Sequence, residues 1–162
     1  MDLGFLGEVL DELIMLMDKE ADEEGTILSP KDVEITVLGQ VALLSNNLAN
    51  QQLELDNTMD LDAEVKATML IRQGIKQRLE EEGLYLDPLA KDIWMPKETK
   101  YEKVYDGDYV TIYRADAVSV LLSKAIMAKE KNRLLIKEAI EKFPELEGLI
   151  VEYNGDPDYF KE

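Results

Sequence analysis

The sequence predicts an α+β protein, because helical and extended patterns follow one another along the chain. Apolar residues recur every three or four positions from Leu3 to Glu20, which predicts an amphipathic helix. The apolar, β-branched segment from Glu34 to Leu38 predicts a strand. Tyr101–Tyr105 and Tyr109–Tyr113 flank Asp106-Gly107-Asp108. We expect these two segments to pair as a hairpin, because an Asp-Gly pair suits turns that need a positive φ.

The composition excludes several classes of catalytic site. The chain has 162 residues, of which 46% are hydrophobic and 33% are charged. This is a globular composition, and the length fits a single domain over residues 1–162. Without cysteine there is no disulfide, thiolate ligand or cysteine nucleophile, and without histidine there is no Ser-His-Asp triad, HExxH zinc site or imidazole base. Any chemistry must therefore use carboxylates, lysines, arginines, hydroxyls or the backbone.

The net charge and the N-terminal residues give expectations about partners and location. The charge is −17, from 18 basic and 35 acidic residues. Because binding along nucleic acid needs a basic surface, we expect no general nucleic-acid surface, although a local basic pocket is compatible with this charge. Met1–Gly4 lacks the basic region of a signal peptide, and no apolar run approaches the roughly 18 to 20 residues of a membrane span. We therefore expect a cytoplasmic protein that does not enter the membrane, and the oligomeric state stays open.

Turn residues and periodicity predict the remaining elements. At the start of the chain we expect an N-terminal helix within residues 1–24, a turn at Ser29-Pro30 and a helix after Gly39. We then expect a polar loop over Asn46–Gln52 and a strand over Thr58–Asp62. A helix over Ala63–Glu82 that ends at Gly83 and a strand over Asp92–Pro96 follow. In the second half we expect a helix capped by Asp116, helices over Leu134–Phe143 and Glu145–Ile150, and an irregular tail over residues 151–162.

Two aspartates in the predicted strand over Thr58–Asp62 form a candidate metal site. Asp60 and Asp62 are one residue apart, so in an extended segment their side chains point to the same side. Two such carboxylates suit Mg²⁺, a hard cation that is usually completed by water and substrate phosphates. The alternative is that both are solvated surface residues, which is common in a chain this rich in acid.

Two stretches resemble a known family. Val37-Leu38-Gly39-Gln40-Val41-Ala42, followed by Thr58-Met59-Asp60-Leu61-Asp62, resembles the signature of the nucleotidyltransferase superfamily, in particular the small bacterial proteins related to the AbiEii and MenT toxins. In those proteins a strand ends in Gly-Gly or Gly-Ser, and Thr-x-Asp-hydrophobic-Asp follows. Val120–Lys124 and Glu130–Asn132 are similar to the family's leucine-rich helix with a lysine and to its downstream charged element. The resemblance covers residues 35–139.

The resemblance implies a nucleotidyltransferase-like fold, in which a mixed β-sheet is flanked by α-helices and the carboxylates gather at one edge. It implies transfer of a nucleotide from a nucleoside triphosphate to a protein or RNA acceptor with Mg²⁺, and a role as the toxin half of a toxin–antitoxin pair. Asp60 and Asp62 would bind the magnesium. Asp92 would be the third catalytic carboxylate, which helps to activate the acceptor hydroxyl.

The same resemblance implies a binding site for the triphosphate. The turn at Gly39 and Gln40 would cradle phosphates, and the charges of Lys124 and Lys131 would meet phosphate charge. This part of the chain also departs from the family pattern. Gln40 stands where the family has a second small residue, and Asn132 replaces the acidic residue that is expected after Lys131.

These departures favour a second hypothesis, in which the chain keeps the nucleotidyltransferase fold without turnover and serves as a binding or interaction protein. The strong negative charge would then suit a basic partner. A third reading is an ordinary α+β domain in which the resemblance is accidental. The three readings differ in whether Asp60, Asp62 and Asp92 converge in space.

Overall fold

The computed structural model describes residues 1–28, 30 and 32–161. Ser29, which forms part of the predicted turn, lies outside the described residues, as do Lys31 and the last residue of the predicted tail, Glu162. Within these ranges, no helix is both long and apolar enough to cross a membrane.

The α+β prediction is confirmed. The helices are α1 (Leu3–Glu23), α2 (Gly39–Leu44), α3 (Asn47–Gln52), α4 (Met69–Glu81), α5 (Ala117–Met127), α6 (Arg133–Lys142), α7 (Glu145–Glu152) and α8 (Asp158–Lys161). The strands are β1 (Val33–Val37), β2 (Asp60–Leu61), β3 (Ala63–Lys66), β4 (Tyr85–Leu86), β5 (Tyr101–Asp106) and β6 (Val110–Ala115), and a 3₁₀ turn covers Ala90–Asp92.

A mixed sheet with the strand order β3-β1-β6-β5 forms the centre of the fold. β1 pairs antiparallel with β3 and parallel with β6, and β5 and β6 form the predicted antiparallel hairpin. β2 and β4 pair in parallel as a separate short ribbon. In β1, the side chains of Val33, Ile35 and Val37 are buried, whereas Glu34 and Thr36 between them are partly exposed. This alternation is typical of a sheet with one face on the core.

The helices supply the rest of the core. α1 packs against β5, β6 and α4, while α5 contacts α2, α6 and α7. α5 is the most apolar of these helices, and its residues Val120, Leu121 and Leu122 are all buried. α5 follows β6 directly, and it packs on α2, which follows β1. The carboxyl ends of these two central strands and the start of α5 therefore lie at the same end of the sheet.

Two predictions about the segment from residue 46 to residue 82 were wrong. Asn47–Gln52 is helix α3 rather than a loop, because the Asn46 side chain caps it by accepting a hydrogen bond from the Ala49 N–H at 3.1 Å. The predicted helix over Ala63–Glu82 begins only at Met69. Ala63–Lys66 is instead β3, in which buried and exposed side chains alternate beside β1. In such a short segment, the unpaired edge of β1 outweighs local helix propensity.

The predicted strand over Asp92–Pro96 was also wrong. Asp92 ends the 3₁₀ turn Ala90–Asp92, and the residues that follow are irregular. This turn forms because the Asp87 side chain accepts a hydrogen bond from the Leu89 N–H at 2.8 Å, which starts a turn in place of an extended chain.

The tail also differs from its prediction. Asp158–Lys161 forms the short helix α8, and Phe160 within it is 1% exposed. The Asp156 side chain accepts a hydrogen bond from the Asp158 N–H at 3.0 Å, so a local side chain starts the turn and burial of Phe160 holds it in place.

The hairpin forms as predicted, but the glycine in its turn, Gly107, is needed for a reason other than a positive φ. Gly107 is not among the residues with positive φ. A Cβ at this position would lie 2.6 Å from the Tyr105 hydroxyl and 2.8 Å from Cγ of Asp11 in α1. Glycine is therefore needed because the Tyr105 side chain and Asp11 of α1 both approach the turn closely.

Candidate active site

The turn between β1 and α2 forms one wall of the site. Gly39 has a φ of 60°, a conformation that favours glycine. The Leu38 N–H donates a hydrogen bond of 2.7 Å to the carbonyl oxygen of Asp62. This bond holds the Asp-x-Asp segment against the turn, and a Cβ at residue 39 would overlap the Asp62 carboxylate. The backbone of Gly39 is therefore the surface on which the Asp62 side chain rests.

Asp62 lies where the chain changes its pairing partner. Asp60-Leu61 pairs in parallel with β4, and from Ala63 onward the chain pairs antiparallel with β1. Leu61 and Ala63 are 1% and 4% exposed, whereas Asp60 is exposed and Asp62 is half-buried. The two aspartates therefore avoid the core side, as the alternation in an extended segment predicts.

Asp87 is a site residue that the sequence reasoning did not identify. β2 and β4 run in parallel, so the residues that follow them, Asp62 and Asp87, lie side by side at the same end of the ribbon. The Asp87 N–H donates a hydrogen bond of 3.0 Å to the carbonyl oxygen of Leu61, and the two aspartate side chains are hydrogen-bonded to each other. The only signal in the sequence is an aspartate after Tyr85-Leu86, and a strand of two residues is too short to be recognised from its pattern.

The electrostatics of Asp62 follow from this geometry. Burial, the hydrogen bond and the charge of Asp87, and the charge of Asp60 together raise the pKa of Asp62 from 3.8 to about 6, although Lys124 opposes the rise. Two carboxylates that share a hydrogen bond need a proton between them, so close approach to Asp87 favours the neutral form of Asp62. A cation bound here would relieve the same repulsion.

Lys124 on α5 supplies a positive charge next to these carboxylates. Burial lowers the pKa of its ammonium group, the neighbouring Lys131 lowers it further, and Asp62 acts in the opposite direction. Lys124 is half-buried on a helix whose neighbouring positions, Ser123 and Ala125, are buried. The fold therefore holds the ammonium group close enough to Asp62 for the two charges to interact.

A single cleft of about 430 Å³ contains these groups, and we call it the main cleft. It brings together every residue that the sequence singled out for the site, which are Gly39, Gln40, Asp60, Asp62, Asp92, Lys124 and Lys131. Asp87 and Asn132 line it as well. A neighbouring cleft of about 600 Å³ shares Gln40, Thr58, Lys124, Lys131 and Asn132 with it, so the two form a continuous depression.

Gln40 has a defined role in the wall of the cleft. Its side-chain amide donates a hydrogen bond of 2.8 Å to the carbonyl oxygen of Asp56. The amide is thus engaged with the segment that leads into the Asp-x-Asp pair. Asp92 is exposed and lines the same cleft, but Asp87 is the carboxylate that bonds Asp62.

The residues present fit magnesium by donor type. In the described part of the chain, no group of three or more acidic side chains is arranged as a ready metal-binding cluster. Magnesium is usually bound through one or two carboxylates, with water and substrate phosphates completing its shell. Asp60 and Asp62 would provide such oxygen ligands, and a cation would offset both the burial of the Asp62 charge and the repulsion from Asp87 and Asp60 that raise the pKa of Asp62.

No protein-family profile, no curated protein and no solved structure matches this chain. The chemistry of the main cleft is therefore the basis on which a function can be assigned.

Replacing Gly39 by alanine is expected to lower the free energy of unfolding by about 2 kcal/mol, because a non-glycine residue at positive φ costs roughly 1 kcal/mol and the new Cβ must displace the Asp62 carboxylate. Urea unfolding at pH 7.5 measures this loss. The matched control is Gly148→Ala in α7, where a Cβ meets nothing within 4 Å and alanine is expected to add about 0.5 to 1 kcal/mol.

A double-mutant cycle separates the two causes of the Gly39→Ala effect. In an Asp62→Ala background the carboxylate is gone, so the Gly39→Ala penalty is expected to fall to the backbone part alone. An equal penalty in both backgrounds would show that Asp62 does not rest on the Gly39 backbone.

Proposed function

We propose that this protein is a nucleotidyltransferase that uses Mg²⁺ to transfer a nucleotide from a nucleoside triphosphate to a protein or RNA acceptor. The observation that carries the proposal is the convergence of Asp60, Asp62, Asp87 and Lys124 in the main cleft, since these residues come from three segments far apart in the chain. Acid groups with a half-buried lysine near them are the charges that bind a metal and a phosphate chain.

Each residue has a role in the proposed reaction. Asp60 and Asp62 hold the magnesium, which when bound neutralises charge on the transferring phosphate and orients the attacking hydroxyl. Asp87 orients Asp62 through their hydrogen bond. Lys124 binds phosphate oxygens. Lys131, which lines both clefts of the continuous depression, adds further positive charge.

In the transfer step the acceptor hydroxyl oxygen bonds to the α-phosphorus, the bond from that phosphorus to the bridging oxygen breaks, and pyrophosphate leaves. Asp92, an exposed carboxylate in the same cleft, takes the proton of the hydroxyl. The turn at Gly39 lines the same cleft and so lies beside the phosphates, while the space left by its missing side chain holds the Asp62 carboxylate. The setting in a toxin–antitoxin pair rests on the family resemblance alone.

Thermal unfolding in the presence of Mg²⁺ with each of the four common nucleoside triphosphates tests binding. A ligand at about 100 times its Kd stabilises a protein by about 2.7 kcal/mol, so we expect a rise of several degrees in Tm with at least one triphosphate. Asp60→Asn is expected to abolish the rise. Asp22→Asn, which neutralises an exposed carboxylate on α1, is the matched control and keeps it. The absence of any rise in the wild type would overturn the proposal.

A second candidate function is a nucleotidyltransferase fold that binds a nucleotide or a basic partner without turnover. The observation that favours it is Gln40, a large side chain at the phosphate turn that is tied to the carbonyl oxygen of Asp56. Incubation with labelled triphosphates and cell lysate distinguishes the two. A Tm rise without label on any acceptor, together with recovery of a basic partner, supports the second candidate, whereas labelled acceptor excludes it.

A further inference from the structure

The main cleft also has an apolar wall that the proposed phosphate and metal chemistry does not use. Ile93, Trp94 and Met95 line it from the irregular segment after the 3₁₀ turn, and Met127 lines it from the end of α5. The first three are half-buried, and Met127 is 63% exposed. Trp94, a large aromatic residue, thus lines the cleft and is not part of the buried core.

Trp94 is held in place by contacts at both its backbone and its ring. The Ser123 hydroxyl donates a hydrogen bond of 2.6 Å to the carbonyl oxygen of Trp94. The rings of Trp94 and Tyr153 meet edge to face, with centroids 5.4 Å apart and planes at 69°. The Tyr153 hydroxyl is in turn hydrogen-bonded to the Glu98 carboxylate. A segment without helix or strand is therefore fixed by side-chain bonds, and this arrangement pre-orients the indole.

The geometry leaves indole surface for a ligand. In an edge-to-face pair only one of the two rings presents a face to the other, so Tyr153 covers at most one face of Trp94. Met95 and Met127 also line the cleft, and thioethers pack well against flat aromatic rings. The surroundings of Trp94 are therefore suited to a planar ring.

α5 links this wall to the charged groups. Ser123, which bonds the Trp94 carbonyl, and Lys124, which lies at the carboxylates, are consecutive residues. Consecutive Cα atoms are about 3.8 Å apart. The tryptophan segment and the lysine are thus anchored to one turn of helix and line the same cleft, so one ligand in that cleft can contact both.

We infer that Trp94, which lines the main cleft together with Met127, is the stacking platform for the base of the nucleotide whose phosphates meet Lys124 and the aspartates. The inference rests on the proposed function and adds the part of the ligand that this wall recognises. Stacking accepts any base because each has a π-face, and the larger purine rings gain the most contact. The ligand class is therefore a purine nucleoside triphosphate with Mg²⁺.

Trp94 is the only tryptophan in the sequence, so tryptophan emission reports on this site alone. The probes are Mg²⁺ with the α,β-methylene analogue of ATP, which is not cleaved at that position, and Mg²⁺ with inorganic tripolyphosphate, which has the phosphates and no base. In the wild type we expect the nucleotide analogue to change the emission and to protect Trp94 from quenching by acrylamide. Tripolyphosphate is expected to bind without giving that protection.

The variants separate stacking from packing. By calorimetry, Trp94→Leu is expected to weaken binding of the ATP analogue by about tenfold, the scale of losing one base-stacking contact, and to leave tripolyphosphate binding unchanged. Trp94→Phe keeps an aromatic face and is expected to stay within about threefold of the wild type. If Trp94→Leu does not fold, the acrylamide protection in the wild type still decides the question.

The outcomes distinguish this inference from the proposed function. If the wild type binds both probes but shows no protection of Trp94, or if Trp94→Leu weakens both probes equally, the base platform is wrong and the phosphate site stands. If the wild type binds neither probe, both proposals fail.

Discussion

Replacing Asp62 by asparagine is expected to make the protein more stable at pH 7.5 and to remove its response to Mg²⁺ and nucleoside triphosphate. The pKa of Asp62 rises from 3.8 to about 6 because the carboxyl is partly buried and lies against Asp87. A shift of that size corresponds to at most about 3 kcal/mol, which solvent screening of a half-buried group reduces to about 1 kcal/mol. The asparagine amide carries no charge and can donate a hydrogen bond to Asp87, so this cost disappears.

The pH dependence gives the sign of the effect. Because the pKa of Asp62 is higher in the folded state than in the unfolded state, its ionised form destabilises the fold, fully so above pH 6. This cost is lost as the pH falls from about 6 towards 3.8. The Asp62→Asn variant is therefore expected to unfold about 3 °C above the wild type at pH 7.5, and the difference is expected to vanish near pH 4.

Activity is expected to move in the opposite direction to stability. In the proposed function Asp62 is a metal ligand, and its loss would remove several kcal/mol of transition-state stabilisation, so label transfer by Asp62→Asn is expected to fall at least about 100-fold. The charge control is again Asp22→Asn. A variant that is less stable than the wild type at pH 7.5, or that transfers label normally, would contradict this account of Asp62.

Replacing Asp11 by alanine is expected to lower the free energy of unfolding by about 2 to 3 kcal/mol, the largest expected loss of stability from a residue outside the core. The Asp11 carboxylate on α1 accepts hydrogen bonds from the N–H groups of Tyr109 at 2.7 Å, Val110 at 3.0 Å and Asp108 at 3.1 Å. Without it these donors at the hairpin turn lose their partner. Thermal unfolding is expected to show a Tm lower by roughly 5 to 10 °C.

Two further variants define the origin of this loss. Asp11→Asn keeps one acceptor oxygen and is expected to lose about half as much stability as Asp11→Ala. Glu12→Ala, at an exposed position on the same helix, is expected to change stability by less than about 0.5 kcal/mol. Equal effects of Asp11→Ala and Glu12→Ala would mean that the hairpin does not depend on α1.

The elements predicted correctly are those whose signals lie within a few residues. Asp2 and Asp116 cap α1 and α5 through hydrogen bonds to the N–H groups two or three residues further on. Gly83, with a φ of 80°, ends the turn after α4 as predicted. Caps, helical periodicity and turn residues are local, so the sequence specifies them without reference to the rest of the chain.

The errors arose where a distant partner overrides a local preference. Ala63–Lys66 has the composition of a helix, but β1 presents an edge that it pairs with. Gly107 was predicted to serve a positive φ, but Tyr105 and, from α1, Asp11 leave no room for a side chain. The edge of β1 and the position of Asp11 cannot be recognised from the local residues, because both lie far away in the sequence.

By itself, the sequence determined the fold class, the positions of α1, α5, α6 and α7 and of the hairpin, and the set of acidic and basic residues available for chemistry. Only the tertiary structure decided that these residues meet in one cleft, that Asp87 is the partner of Asp62, and that Trp94 lines the same cleft. The physical reason is that Asp87 reaches Asp62 through the parallel pairing of two strands of two residues each, and such short strands have no pattern of their own. Their position depends on the packing of the whole domain.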